Sequence, residues 1–293
     1  MLLLQLLANG FVIGCNTALV ALSFALIYNT TRTFHVAHGA TYIASAYACY
    51  LLLVQMSWPL STAIPVAILV GAGLGVVMEL VVYAPLARRN ASMLVGLLSS
   101  LGLYVAVVNL VALVFGNETK LLRPGAEASY RFGPISLSRI QLIEIAAAAI
   151  ILPIFVVLLN LNTWGKIIRA VRDDAPLANL IGINVPAVRV SVFALGSSLA
   201  AIAAILTAMD VGVDPQAGMP ILLTAAVALI VGGVGTFEGP VLGGFVLGLL
   251  QSLVIWALSV RWSNAVTFAV LIAFMLFRPS GLVGRHRRLE ESQ

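Results

Sequence analysis

The stretch Ala146–Leu159, AAAAIILPIFVVLL, decides the fold class. It carries no charge, and its apolar residues do not alternate with polar ones. A barrel strand in a membrane alternates apolar and polar over about ten residues. A spanning helix instead needs about 20 consecutive, mostly apolar residues. Working outward, Ile140–Leu161 reaches that length with Glu144 as its only charge. Similar runs recur along the chain: Leu2–Tyr28, Phe34–Val54, Leu60–Tyr83, Met93–Phe115, Arg189–Val211, Ile221–Val234, Val241–Val260 and Ser263–Phe277. That makes nine segments, or eight if a short or broken one fails to cross. The composition agrees, with 61% hydrophobic and 9% charged residues against roughly 25% charged in an ordinary soluble domain. The expected fold is an all-α integral membrane protein. It is a polytopic bundle of about eight to nine transmembrane helices with broken or re-entrant segments, and residues 1–293 form one transmembrane domain.

Charge sets the expected orientation. Arg32, Arg88, Arg89, Lys166, Arg169, Arg172, Arg189, Arg278, Arg285, Arg287 and Arg288 fall on one side of such a bundle. Lys120, Arg123, Arg131, Arg139 and Arg261 fall on the other. The richer side is cytoplasmic by the positive-inside bias, which with nine spans puts the N-terminus outside and the C-terminus inside. A net charge of +5 is small for nucleic-acid binding, and no nucleic-acid partner is expected. Leu2–Tyr28 lacks a basic leader region and a small-residue cleavage site, so it reads as a retained span. Cys15 and Cys49 sit in apolar runs without the paired spacing of metal or redox motifs.

No motif for catalysis appears. A phosphate loop needs Gly, four residues, then Gly-Lys-Ser/Thr, so that main-chain amides cradle phosphate. At the only Gly-Lys pair, Gly165-Lys166, Asn160 stands in the place of the first glycine and Ile167 follows the lysine. Neither His-Glu-x-x-His nor Gly-x-Ser-x-Gly occurs, and Gly233-Val234-Gly235 has no βαβ context. No cofactor or metal is expected. The sequons at Asn29, Asn90 and Asn117 are short matches that occur by chance.

Small and polar residues inside the spans mark candidate sites. Gly232, Gly233, Gly235, Gly239, Gly243 and Gly244 cluster around Pro240. Dense glycine and proline suggest a helix break lined by protein and close helix packing. His38-Gly39 inside an apolar run suggests a second break. Its imidazole either faces a polar cavity or bonds a neighbouring carbonyl. Glu79, Glu144, Asp210 and Asp214 fall near expected span ends, as interfacial or paired carboxylates do, and Glu79 lies close in sequence to Arg88 and Arg89.

The segment 162–188 is too polar to span. Lys166, Arg169 and Arg172 recur at three-residue spacing and share a helix face. Asp173 and Asp174 offer an N-cap, with Ala175 and Pro176 in the first turn. Leu177, Leu180 and Ile181 form an apolar face, and Gly182 is placed to close the helix. The pattern gives a short amphipathic helix that either lies on lipid or docks in a partner.

Four stretches carry a family resemblance: FHVAHGATYIASAY at Phe34–Tyr47, MELVVYAPLARR at Met78–Arg89, GKIIRAVRDDAPLANLIGINV at Gly165–Val185, and GGVGTFEGPVLGGFVLGL at Gly232–Leu249. The chain resembles the permease subunits of ABC importers for branched-chain amino acids. It departs from the usual Asn-Phe-Ala-His-Gly of the first motif, with His35 where Asn is usual. The resemblance implies a non-catalytic permease and a cytoplasmic coupling segment at 162–188. There Asp173, Asp174, Ala175, Leu177, Leu180, Ile181 and Gly182 would meet an ATPase. It also implies a second, related permease subunit, two ATP-binding subunits, an extracytoplasmic solute-binding protein and a bacterial-type inner membrane. His38, Gly39, Thr41 and Tyr42, with Ser99 and Ser100 in the fourth span, are the candidates for the translocation path. Hydrophobic amino acids are the expected substrates, and urea or short amides the alternative. A stand-alone secondary transporter would instead need a coupling carboxylate at mid-membrane.

Overall fold

A computed structural model describes residues 2–122 and 128–283. Arg123, Arg285, Arg287 and Arg288, used above for orientation, lie outside the described residues. The chain begins with α1 (Leu2–Thr31), a charge-free helix of 30 residues, about 45 Å at 1.5 Å per residue. After a non-helical turn come α2 (His38–Tyr50) and a wide π-helical turn at Leu51–Gln55. α3 (Leu60–Met78) continues through a second π-helical turn, Glu79–Tyr83, into α4 (Ala84–Arg88). α5 (Met93–Phe115) starts where Ser92 Oγ accepts the Val95 amide. The strands β1 (Ser129–Phe132) and β2 (Ile135–Ser138) pair antiparallel, with Ser129 opposite Ser138 and Phe132 opposite Ile135.

β2 runs directly into α6 (Arg139–Leu161), whose capping box joins Ser138 and Gln141. Then come α7 (Thr163–Asp173), α8 (Ala175–Leu180) and α9 (Val185–Asp210), the last capped by Asn184 with Pro186 in its first turn. A short 3₁₀ turn, Pro215–Ala217, precedes α10 (Gly218–Gly232). α11 (Glu238–Ala257) and α12 (Ser263–Phe277) complete the bundle. Eight helical stretches among the described residues are long and apolar enough to cross a membrane. The remaining expected segment, Phe34–Val54, is helical over residues 38–55. That stretch carries His38, three tyrosines and Gln55, and is buried along most of its length rather than turned to lipid.

The bundle has two faces. Gln5 bonds the main chain of Ser136, Ser138 bonds Asp210, and Lys120 pairs with Val213, which gathers these residues on a hairpin side. Asn29, Asn160, Arg172 and the 233–238 region meet at the other end, the arginine side.

The core is α1. Leu19, Leu22, Phe24, Leu26 and Ile27 are fully buried, while Leu113, Leu161 and Phe277 on the outer helices are exposed. That is the pattern of a protein whose outer solvent is lipid. Small residues let backbones touch. α1 crosses α11 along Gly10, Gly14 and Ala18, and a Cβ on Gly248 would stand 2.2 Å from the Gly14 nitrogen. Cys15 and Cys49 are both free and buried.

The structure corrects one expected boundary and adds two features. The polar stretch 116–139 holds a β-hairpin, turned at Gly133 (φ 62°) and Pro134. The sixth span starts at Val185, not Arg189. Finally, Glu79 pairs with neither Arg88 nor Arg89. Arg189 Nε donates to its Oε1 at 2.6 Å and Nη2 to its Oε2 at 3.1 Å, a bidentate pair between distant spans.

Candidate functional site

Two sets of residues are built into the bundle: a break near its middle and a collar on the arginine side. α2 and α10 both start inside the bundle, beside Tyr104 midway along α5. Their first turns touch. A Cβ on Gly39 would lie 2.7 Å from the Gly218 carbonyl oxygen, and one on Gly218 would lie 2.6 Å from that of Gly39. From this contact α2 runs to the hairpin side, where the Tyr47 hydroxyl reaches the Val213 carbonyl. α10 runs to the arginine side.

Around the start of α2, polar groups form a closed chain. The Ala37 amide (3.0 Å) and the Tyr83 hydroxyl (2.7 Å) both donate to Ser100 Oγ. His35 Nδ1 lies 2.7 Å from the Tyr83 oxygen, so the network assigns the proton to Nδ1. Ser23 Oγ donates to the Val20 carbonyl and meets His38 Nε2 at 2.8 Å, which assigns the proton of His38 to Nε2. Each imidazole is thus left with one bare acceptor nitrogen, His35 Nε2 and His38 Nδ1, without a partner among the described residues. His38 bonds a hydroxyl, neither a carbonyl nor a cavity. Thr41 Oγ1 bonds back to the His38 carbonyl at 2.7 Å. Tyr42 turns away, toward Thr207. Ser100 is inside this network, whereas Ser99 is half-buried beside it.

The collar is organised by the glycine cluster. α10 ends at Gly233 (φ 119°), and Gly235 (φ 91°) is the second left-handed residue of the turn, a conformation glycine adopts without strain. Asn29 holds this turn from α1: its Nδ2 donates to the Thr236 carbonyl at 2.9 Å, and its Oδ1 accepts the Gly235 amide at 3.0 Å. Gly232 and Gly239 press their backbones together, Gly243 lies on the Ala228 carbonyl, and Gly244 lies on Ala18. Asn160 bonds Glu238.

The segment after α6 is fastened to this turn. Arg169 donates to the free carbonyls at the end of α6, those of Leu159 and Asn160. Arg172 Nη1 donates to the Gly235 carbonyl at 2.6 Å, and its Nε bonds the exposed Asp173 at 3.0 Å. Asp174 Oδ1 accepts the Leu177 amide at 2.9 Å and caps α8, and Gly182 (φ 91°) follows the helix end. Ala175 is half-buried and Ala178 buried against the bundle, so the opposite face points outward. Leu177, Leu180 and Ile181 are 55%, 84% and 69% exposed, an uncovered apolar tip beyond the spans.

The pattern of the sequence showed the cap and the glycines but missed Asn29 and the Arg172–Gly235 bond. Asn29 looked like a sequon, and no local signal announces a bond between residues so far apart.

The family model described as branched-chain amino acid transport system / permease component matches residues 6–275. The high-affinity branched-chain amino acid transport system permease protein BraD of Pseudomonas aeruginosa is 31% identical, over 96% of both chains. The corresponding protein LivH of Escherichia coli is 28% identical, again over 96% of both. Among solved structures, PsaBC from Streptococcus pneumoniae in complex with Fab superposes with a TM-score of 0.53 at 15% identity. The match covers 94% of this chain and 91% of that one, a likeness of fold.

Proposed function

From the premise that the chain belongs to the permease-component family of branched-chain amino acid transport systems, we propose that it carries hydrophobic amino acids across the inner membrane, driven by ATPase subunits that seat the tip of α8. The observation that carries this reading is the capped helix with three uncovered apolar side chains, fastened through Arg172 to the turn between α10 and α11. A helix lying on lipid has no need of such a tie. A docked helix does, because a push at its tip must reach the spans to shift the permease between inward-open and outward-open states.

The whole chain acts as one permease domain. It pairs with a second, related permease subunit and two ATP-binding subunits, and it receives solute from an extracytoplasmic binding protein. The path runs past the α2–α10 contact at Gly39 and Gly218. Charge supports the orientation. Among the described residues, Arg32, Arg88, Arg89, Lys166, Arg169, Arg172, Arg189 and Arg278 lie toward the arginine side. Lys120, Arg131, Arg139 and Arg261 lie toward the hairpin side. The arginine side, and the C-terminus with it, is cytoplasmic.

Two measurements test the proposal together. Proteoliposomes holding the complete complex and the binding protein should accumulate leucine only with ATP. In intact cells and a background lacking Cys15 and Cys49, a cysteine at Ser136 should react with an impermeant reagent. A cysteine at Lys166 should react only after permeabilisation. ATP-independent leucine movement, or labelling of Lys166 from outside, overturns the reading.

A further inference from the structure

A cavity of about 340 Å³ opens on the hairpin side within the chain itself, walled by α1, α2, α6, α9, α10, α11 and α12. Asn16, Thr17, Tyr42 and Thr207 bring amide and hydroxyl groups to its wall, and Glu144 and Asp210 bring carboxylates. No lysine or arginine lines it among the described residues.

The two carboxylates differ in their support. Asp210 accepts from Ser138 Oγ at 3.2 Å and Gln141 Nε2 at 3.4 Å, so the capping box of α6 fixes it at the rim. Glu144 follows Gln141 by three residues and therefore shares its helix face, one turn deeper. It is 4% exposed. It makes no hydrogen bond or ion pair with any described residue. Glu79, the other buried glutamate, shows what the fold does when it closes such a group: both of its oxygens meet Arg189. Tyr42 is also open toward the cavity. Its hydroxyl lies beside Thr207 and has no hydrogen-bond partner among the described residues.

Withdrawing a carboxylate from water without a donor costs free energy, and acids at such depth in a membrane protein line polar cavities or pair with cations. A small group with positive charge and N–H donors would complete this site. We infer that Glu144 and Asp210 form a binding subsite for the ammonium group of a small solute, with the Tyr42 hydroxyl as a neutral acceptor beside it. The apolar wall, which includes Val20 and Ile221, suits a short aliphatic chain. The identity of the solute rests on the proposed transport function. On that reading it is the α-ammonium of a hydrophobic amino acid, and the cavity faces the side from which the binding protein delivers it. The subsite lies inside one subunit rather than between two.

The test measures equilibrium binding of three probes to the purified full chain: L-leucine, 3-methylbutylamine, which lacks the carboxylate, and 4-methylpentanoate, which lacks the ammonium. The wild type should bind L-leucine and not 4-methylpentanoate. Glu144→Gln keeps the volume and removes the charge. It should weaken ammonium binding about tenfold or more, as for loss of a charge-assisted hydrogen bond. Asp210→Asn supplies a second variant if Glu144→Gln does not purify as a folded protein. Binding of leucine and of the amine, both dependent on Glu144, supports the subsite. Leucine alone identifies an amino acid as its ligand, and the amine alone a simple amine. Unchanged affinity in both variants, 4-methylpentanoate bound as well as leucine, or no ammonium compound bound by folded wild type each overturns the inference. Uptake separates it from the transport reading. Leucine uptake by the complex with no dependence of binding on Glu144 sinks the subsite alone. Glu144-dependent amine binding without leucine uptake sinks the amino-acid reading alone.

Discussion

On the arginine side, polar groups close on one another. Arg169 and Arg172 donate to main-chain carbonyls, Asn29 holds both edges of the Gly235 turn, and Asn160 bonds Glu238. Arg169, Arg172, Asn160 and Glu238 line an open cavity of about 710 Å³, and beside it the exposed tip is apolar: Leu177, Leu180 and Ile181. On the hairpin side one polar group is left open. The cavity there has mostly apolar walls, and Glu144 faces it without a partner among the described residues. A stiff apolar tip suits contact with another protein, because interface cores are apolar and a rigid element passes a displacement on. A mostly apolar cavity with an unpaired carboxylate suits a small solute with an aliphatic chain and a cationic head. Between the two ends, α2 and α10 meet at a pair of glycines. On the proposed function the two ends meet two different partners, and each can be broken separately.

The largest effect is expected at the tip. Leu177 is 55% exposed, so Leu177→Asp removes little packing within the chain and should leave it folded in the membrane. In a docked complex the new carboxylate must lose its water in an apolar site. That costs several kcal/mol and weakens association by roughly a hundredfold or more. Affinity purification should recover far less ATPase per permease than from wild type, and transport should vanish. Equal recovery with intact transport would leave α8 as a helix on lipid, and the difference between the ends would lose its meaning.

A smaller effect is expected at the midpoint. A Cβ at position 39 would stand 2.7 Å from a main-chain oxygen, which cannot move aside as a flexible side chain can. Gly39→Leu should cut transport about tenfold or more while the ATPase still binds, since overpacking a close backbone contact costs roughly 1–3 kcal/mol or more. Gly39→Ala should lie between. Full transport by Gly39→Leu would remove the α2–α10 contact from the path between the two ends.

What was legible in the sequence follows the range of the interaction. Span length, the Asp174 cap, the terminal Gly182 and the glycine-rich turn are written over a few residues, so pattern alone exposes them. The His38-Gly39 break also shows, as a polar interruption of an apolar run. The Glu79–Arg189 pair, the Arg172–Gly235 bond and the packing of α1 on α11 join residues far apart in the chain, and nothing in either partner's neighbourhood points to the other. The hairpin is intermediate. Gly133-Pro134 is a turn signal and both strands alternate polar and apolar residues, but each is only four residues long and mostly exposed, too short a run to announce a strand. The cavity around Glu144 was the least legible, because side chains from seven helices make its wall.

The finest test separates attachment from transmission at the arginine side. Arg172 is not part of the exposed tip, yet it bridges α7 and the turn between α10 and α11 through Gly235. Docking should therefore survive its loss, whereas the passage of movement should not. Arg172→Gln removes the charge and is too short to keep the 2.6 Å bond, and a hydrogen bond from a charged group contributes about 1.5–3 kcal/mol. If that bond is what makes the tip and the turn move together, ATPase recovery should match wild type and ATP hydrolysis should continue. Leucine carried per ATP hydrolysed should fall several-fold. Arg172→Lys keeps a charged donor on a shorter reach and should recover part of the ratio. The informative quantity is the ratio rather than the rate, because a merely destabilised permease loses transport and complex together. An unchanged ratio in Arg172→Gln would mean that movement reaches the spans by another route. Loss of the ATPase itself would mean that Arg172 serves docking, so that attachment and transmission share the same residues at this end.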